Sequence, residues 1–208
     1  MIRGLISEYD ARITEKWFAL GNREEDDIFK FVAYWLAFIQ LYNFDNYGDE
    51  EVSETTRIID YCDKHIDELS DAIDFENGYM KVFKDRPIIS GASTVGIIHW
   101  QQDEETIARF VKERLNCNSY YKHKEDNEVT KAAKKIAKNF KAICNPTAEI
   151  TERVKSLFCS IYRVRCNLFH GSKKPFEEMD RDAQLIHSSV EILELCLPRL
   201  IRSTYVNK

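Results

Sequence analysis

Apolar side chains recur every three or four residues along most of the chain, which is the spacing of one face of an α-helix. The first run predicts an amphipathic helix through five such positions: Ile6, Tyr9, Ile13, Trp17 and Leu20. The next run, FVAYWLAFIQLY at Phe31 to Tyr42, is apolar on nearly every side and predicts a central, buried helix. Asn22 is its predicted N-cap, and the acidic run Glu24 to Asp27 suits the positive end of the helix dipole.

Helical patterns continue beyond a polar loop. Ser53 is expected to open a third helix, whose apolar stripe is Ile59, Cys62, Ile66, Leu69 and Ile73. DEETIARFVKERL predicts a short helix. VTKAAKKIAKNFKAI predicts a strongly amphipathic one with the apolar side Val129, Ala133, Ile136, Phe140 and Ile143. Residues 84–102, which include RPIISGASTVGIIHW, fit no regular period and can form a loop or a short strand. Residues 84–128, with the short helix inside them, are interpreted as an irregular, insertion-like segment.

Two long helices are predicted at the end of the chain. One runs from about Thr147 to His170, where Gly171 is placed to stop it. The other runs from about Glu177 to Arg202, with a kink expected at Pro198. Only 7 Gly and 4 Pro occur in 208 residues, which favours long helices over a sandwich or barrel. The expected fold is an all-α antiparallel helical bundle with extra helices, in a single domain over residues 1–208.

Composition narrows the class of protein. The longest apolar run has 12 residues, too few to span a bilayer, and no signal peptide is evident. The six cysteines lie far apart without a CxxC or Cys/His spacing, which indicates reduced thiols and a cytoplasmic protein. Residues 1–85 carry 20 acidic and 9 basic side chains, whereas residues 86–208 carry 15 and 21. This asymmetry suits a polyanion site in the second half, although charge alone favours the simpler explanation of chance and solvated helix faces.

The stretch RVRCNLFHGSKK, from Arg163 to Lys174, is hard to explain as core. At 100° per residue Arg165 falls in or at the edge of the apolar arc of its helix, where a guanidinium is costly without a partner. Its partner can be an acidic side chain, a second subunit or a bound phosphate, which arginine binds well. His170, at the helix end, is expected to titrate near neutrality, but it points about 140° away from Arg165. Two copies facing each other would bring both side chains to one phosphate.

RCNLFHGSK resembles the R-x4-6-H signature of HEPN domains, in the RNNLFHG version found in bacterial HEPN proteins. FVAYWLAFIQLY is similar to the early WxAF-containing helix of the same proteins. The resemblance implies an all-α bundle that forms a homodimer through the motif helices, with a composite ribonuclease site. It implies cleavage without metal or other cofactor, by attack of the ribose 2′-OH on the adjacent phosphate. Such enzymes are often toxins or antiviral defence effectors, so an antitoxin or regulatory partner protein is expected.

Carried onto this chain, the resemblance implies that Arg165 holds the phosphate and that His170 acts in proton transfer or, failing that, as an orienting hydrogen-bond donor. Asn167 would position the RNA backbone or His170, which completes the catalytic set. Arg163, Lys173 and Lys174 are the expected RNA-binding residues. Cys166 departs from the family, which commonly has a polar residue, often Asn, directly after the arginine.

Two alternatives to the nuclease stay open, and so does the role of a basic helix face. The chain can be a non-catalytic HEPN interaction module that binds a partner protein, RNA or a nucleotide. It can also be an unrelated helical scaffold, with Arg165 in an interhelix salt bridge and His170 as a helix cap. The basic face Lys131, Lys134, Lys135, Lys138 and Lys141 can steer RNA or be only a solvated surface.

Overall fold

The computed structural model of the protein describes residues 2–45, 52–89, 98–117, 121–170 and 179–205, and in these ranges every regular element is helical. The helices are α1 (Ile2–Gly21), α2 (Asp27–Asp45), α3 (Glu54–Lys64), α4 (Ile66–Ala72), α5 (Lys81–Asp85), α6 (Glu104–Asn116), α7 (Asp126–Cys144), α8 (Ile150–His170) and α9 (Met179–Tyr205). Short 3-10 turns lie at Gly78–Met80 and Tyr121–His123. The prediction of an all-α fold is confirmed.

The chain divides into two compact units. The first unit consists of Met1–Asp74 and Ile186–Lys208, and the second of Phe75–Leu185. Helix α9 contributes residues to both. Every candidate functional residue lies in the second unit, while the single HEPN-like domain over residues 1–208 stays a prediction.

Helix α2 forms the buried centre of the first unit, as its apolar sequence predicts. Phe31, Tyr34, Trp35 and Phe38 are all essentially inaccessible to solvent. Helix α1 packs on α2 by its Phe18 ring, which stacks on Tyr34 with the ring centroids 5.5 Å apart. Aromatic pairs of this kind add to the stabilisation that comes from burying the rings.

The start of α2 differs from the prediction. The helix begins at Asp27, and the cap is Asp26, whose carboxylate accepts hydrogen bonds from the backbone N–H groups of Ile28 (2.8 Å) and Phe29 (3.2 Å). The predicted cap, Asn22, instead accepts a 2.7 Å hydrogen bond from the Tyr34 hydroxyl. The prediction of Asn22 as N-cap is therefore wrong, because a tertiary contact takes its side chain.

The predicted third helix is two helices. Its start at Ser53 is confirmed, since the Ser53 hydroxyl accepts a hydrogen bond from the Thr56 N–H. The helix ends at Lys64, and α4 begins at Ile66. His65 between them leaves the helical conformation (φ −114°, ψ 32°) and is buried, with its Nδ1 3.2 Å from the Ser203 hydroxyl.

The second unit contains a core between α6 and α7. All five predicted apolar positions of α7 are buried: Val129, Ala133, Ile136, Phe140 and Ile143. Ile107, Val111 and Leu115 of α6 pack in the same core. Trp100 and Tyr121 also pack against it, so the fold uses these aromatic rings for its own stability.

Helix α8 presents its predicted apolar stripe to the interior of the second unit. Five of its six predicted members are buried and the sixth, Leu168, is half-buried. The buried members are Val154, Leu157, Phe158, Ile161 and Val164. Helix α9 continues through Pro198 to Tyr205, and the kink stays a prediction. The stripe fixes the rotation of α8 about its axis and so decides where the polar residues of the motif lie.

Candidate nucleic-acid interface

Arg165 lies at the edge of the buried face of α8 and is half-buried. Its guanidinium carbon is 5.2 Å from the centroid of the Phe169 ring, one turn further along the helix. Its Nε atom is buried and has no hydrogen-bond partner among the described residues. In the described part of the chain no carboxylate forms an ion pair with it, so the interhelix salt bridge is not the arrangement found there. The cost of withdrawing this cation from water is only partly offset by the neighbouring ring.

Arg163 lies two residues earlier and is engaged by the fold. Its Nη1 donates a hydrogen bond to the backbone carbonyl of Ile88 at 3.3 Å. The side chain also lines a small cavity of about 10 Å³ together with Ser160 and Phe140. Burial lowers the pKa of the guanidinium from its ordinary value, and the nearby groups Tyr121 and Cys159 oppose this. Arginine keeps its proton in folded proteins even when it is buried, so the side chain remains a cation.

Asn167 is buried, and its amide Nδ2 donates to the carbonyl of Ile89 at 3.2 Å. Arg163 and Asn167, one turn apart, thus bind two successive carbonyls, as expected for two side chains on the same face of a helix. This contact is structural in the single chain. Binding of Asn167 to an RNA backbone or to His170 stays a prediction.

Arg181 of α9 adds a third donor to the same backbone. Its Nη2 donates to the carbonyl of Arg86 at 3.1 Å. Arg86–Ile89, here called the clamped segment, is therefore attached to α8 and α9 through three of its carbonyls. The residue types do not predict this arrangement; in the sequence the irregular pattern around Pro87 indicates only that a non-helical segment lies there.

The remaining motif residues cannot be placed in detail. His170 is the last residue of α8, and its side chain lies outside the described residues. Lys173 and Lys174 also lie outside them. The catalytic role of His170 and the RNA-binding roles of the two lysines stay predictions.

The basic face of α7 is mostly exposed. Lys131, Lys134, Lys135 and Lys138 are open to solvent, and Lys138 is 3.8 Å from Glu152. Lys141 is half-buried and donates to the backbone carbonyl of Gln102 at 2.8 Å. Exposed lysines attract a polyanion only at long range, and salt screens the attraction.

The cysteines of the motif helix are free thiols. Cys166 is half-buried, and Cys159 is buried in the second unit. Burial raises the pKa of the Cys159 thiol, with Lys135 and Arg163 opposing the shift. A protonated, buried thiol is a poor nucleophile, so Cys159 behaves as a packing residue.

In the described ranges of the chain no three His, Cys, Asp or Glu side chains lie close enough together to hold a metal ion. None of the described helices is both long and apolar enough to span a bilayer.

Comparisons with models of known protein families, with curated protein sequences and with solved structures found no match. The resemblance to HEPN domains therefore rests on the motif itself and on the early aromatic helix.

Proposed function

We propose that this protein is a metal-independent endoribonuclease of the HEPN type that acts as a homodimer through α8. The observation that carries the proposal is the position of Arg165: it is half-buried on the motif helix next to Phe169, and no described carboxylate forms an ion pair with it. A partly buried cation is stabilised by a ligand or a partner subunit that supplies negative charge. A phosphate between two copies of α8 would supply that charge.

The proposed chemistry is transesterification. The ribose 2′-OH attacks the adjacent phosphorus, the bond to the 5′-oxygen of the next nucleotide breaks, and a 2′,3′-cyclic phosphate and a 5′-OH result. Arg165 stabilises the charge that builds on the phosphate oxygens in the transition state. His170 takes the proton from the 2′-OH or gives one to the leaving oxygen. Because the two side chains diverge on one helix, each phosphate would receive Arg165 and His170 from different copies.

The charge of the second unit supports an RNA substrate. Residues 75–185 contain 20 basic and 15 acidic side chains, whereas the whole chain has a net charge of −5. The positive charge is therefore concentrated in the unit that carries the motif. A positive surface raises the association rate of a polyanion and makes its binding sensitive to salt.

A second candidate is a non-catalytic HEPN interaction module. The observation that favours it is the engagement of Arg163 and Asn167 by the backbone of the clamped segment, which removes two polar side chains from direct contact with RNA. The presence of Cys166 in place of the usual polar residue also favours the interaction module. Such a module would bind a partner protein, RNA or a nucleotide and would cleave nothing.

Cleavage of labelled RNA in excess EDTA distinguishes the nuclease from the interaction module. Wild-type protein is expected to release fragments with cyclic-phosphate ends, and Arg165→Ala and His170→Ala are expected to lose activity by on the order of 100-fold or more. Arg109→Ala and His123→Ala are matched controls, because both residues are exposed in the second unit and outside the motif. Circular dichroism of each variant checks that the helices are retained.

Two results would overturn the nuclease. One is an absence of cleavage by wild-type protein across several RNA substrates, and the other is equal cleavage by the motif variants and their controls. The interaction module would then be the remaining proposal, and toxin or antiviral roles that depend on cleavage would be abandoned with the activity.

A further inference from the structure

Phe169 is the most exposed large apolar side chain of the second unit among the described residues, with 51% of its surface open to solvent. Most apolar residues that precede it on α8 are buried, with Phe158 and Ile161 wholly inaccessible, whereas Leu168 is half-buried and Ile150 is exposed. The helix therefore has its core contacts without this ring. An aromatic ring presented to water is available to a ligand that has a flat apolar face.

The Arg165 guanidinium lies over one face of this ring, with its carbon 5.2 Å from the centroid, so a base would stack on the opposite face. A ring and a cation in this arrangement match the two parts of a nucleotide. A base stacks on the ring, and the phosphate, one sugar away, meets the cation.

From this juxtaposition we propose that Phe169 is a stacking surface for an unpaired RNA base next to the phosphate held by Arg165. The inference rests on the proposed RNA substrate and names the form in which RNA is bound, namely single-stranded, with one base turned onto the protein. Stacking tolerates any base because every base has an aromatic face. The site therefore selects unpaired nucleotides and not a particular sequence.

The chain offers a matched control in α6. Arg109 and Phe110 form a similar pair, with the guanidinium carbon 5.8 Å from the ring centroid and the ring 37% exposed. Arg109 is itself exposed, and none of its nitrogens is buried without a hydrogen bond. This second pair reproduces the chemistry of the ring and the cation at a place outside the motif.

The test is the affinity of full-length protein for a short, fluorescent, single-stranded RNA measured by anisotropy. The RNA is 2′-O-methylated so that it cannot be cut, and a second RNA of the same length has abasic positions but the same phosphates. Wild-type protein is expected to bind the base-containing RNA more tightly. Phe169→Leu is expected to weaken that binding by roughly 10-fold, the equivalent of one lost base stack, and to leave abasic RNA unaffected. Phe169→Tyr is expected to retain the preference, and Phe110→Leu is expected to bind as wild type.

Equal binding of the two RNAs by wild-type protein would overturn the stacking site. An equal loss of affinity for both RNAs in Phe169→Leu would also overturn it. If sedimentation then shows that this variant no longer forms a dimer, the ring is a subunit contact. Cleavage is measured separately with unmodified RNA in EDTA. Base-dependent binding without cleavage would support the stacking site and overturn the nuclease. If the wild type cleaves RNA but Phe169→Leu binds both RNAs as the wild type does, the nuclease is supported and the stacking site is overturned.

Discussion

Truncation of Asn167 tests whether its side chain stabilises the fold. In Asn167→Ala the Ile89 carbonyl loses the 3.2 Å hydrogen bond from the amide Nδ2, at a site where both residues are buried. An unsatisfied buried polar group costs about 1–3 kcal/mol, so the free energy of unfolding is expected to fall by about 2 kcal/mol. A loss of this size is a large part of the stability of a typical domain.

Urea unfolding followed by circular dichroism measures this loss, with Asn127→Ala as the control. Asn127 is exposed in the first turn of α7, and its replacement should change the unfolding free energy by no more than about 0.5 kcal/mol. Hydrogen exchange adds a local readout, because the amides of the clamped segment should exchange faster in Asn167→Ala.

A second variant, Asn167→Asp, tests the direction of the same hydrogen bond. Asn167→Asp replaces the donor by a carboxylate that faces the Ile89 carbonyl, so it should be at least as destabilising as alanine at neutral pH. Its deficit should shrink as the pH falls, since a protonated carboxyl can donate again. An unfolding free energy for Asn167→Ala equal to that of Asn127→Ala, together with unchanged exchange at residues 86–89, would refute the structural role.

Two further predictions concern other contacts. Gly21→Ala should destabilise the protein by about 1–3 kcal/mol in thermal or urea unfolding, because an added Cβ would lie 2.4 Å from two atoms of the Tyr34 ring. Gly78→Ala is the control, because a Cβ added there meets nothing within 4 Å. An equal loss of stability in both variants would contradict the steric explanation. The pKa of Glu76 is lowered by its hydrogen bond with Lys84, so its contribution to stability is present above the ordinary value of 4.5 and lost as the pH falls through the lowered pKa. Unfolding of Glu76→Gln and wild type should therefore differ at neutral pH and converge in acid, and a difference that is independent of pH would exclude the ionised pair.

The sequence was most informative where one side of a helix is buried. All five positions that the apolar spacing of α7 predicted to be buried are buried, and the stripe of α8 placed Arg165 at the edge of the core, where the structure also has it. Amphipathic spacing records which side of a helix faces the interior, because each apolar residue left in water would cost free energy.

Helix boundaries were less predictable. Asn22 and Asp26 both have side chains suited to an N-cap, and local preference does not separate them. The choice follows from the Tyr34 hydroxyl, which binds Asn22 and leaves Asp26 to begin the helix. His65 ends α3 in a similar way, at a buried position whose contact with Ser203 comes from far along the chain.

The clamped segment could not have been predicted from residue types. Arg163, Asn167 and Arg181 all donate to backbone carbonyls, and every residue has the same carbonyl. The acceptors therefore leave no mark in the sequence. Only the donors are recognisable, and their type alone is equally suited to binding a phosphate.

The partner of Arg163 has an electrostatic consequence. A carbonyl oxygen satisfies an N–H group without cancelling the charge of the guanidinium, and no described carboxylate pairs with it. Because arginine does not lose its proton near neutrality, this charge persists across the physiological pH range. The contact that fastens Ile88 to α8 thus also makes Arg163 a permanent source of positive potential, which lies partly below the surface and is screened less by salt than the exposed lysines of α7.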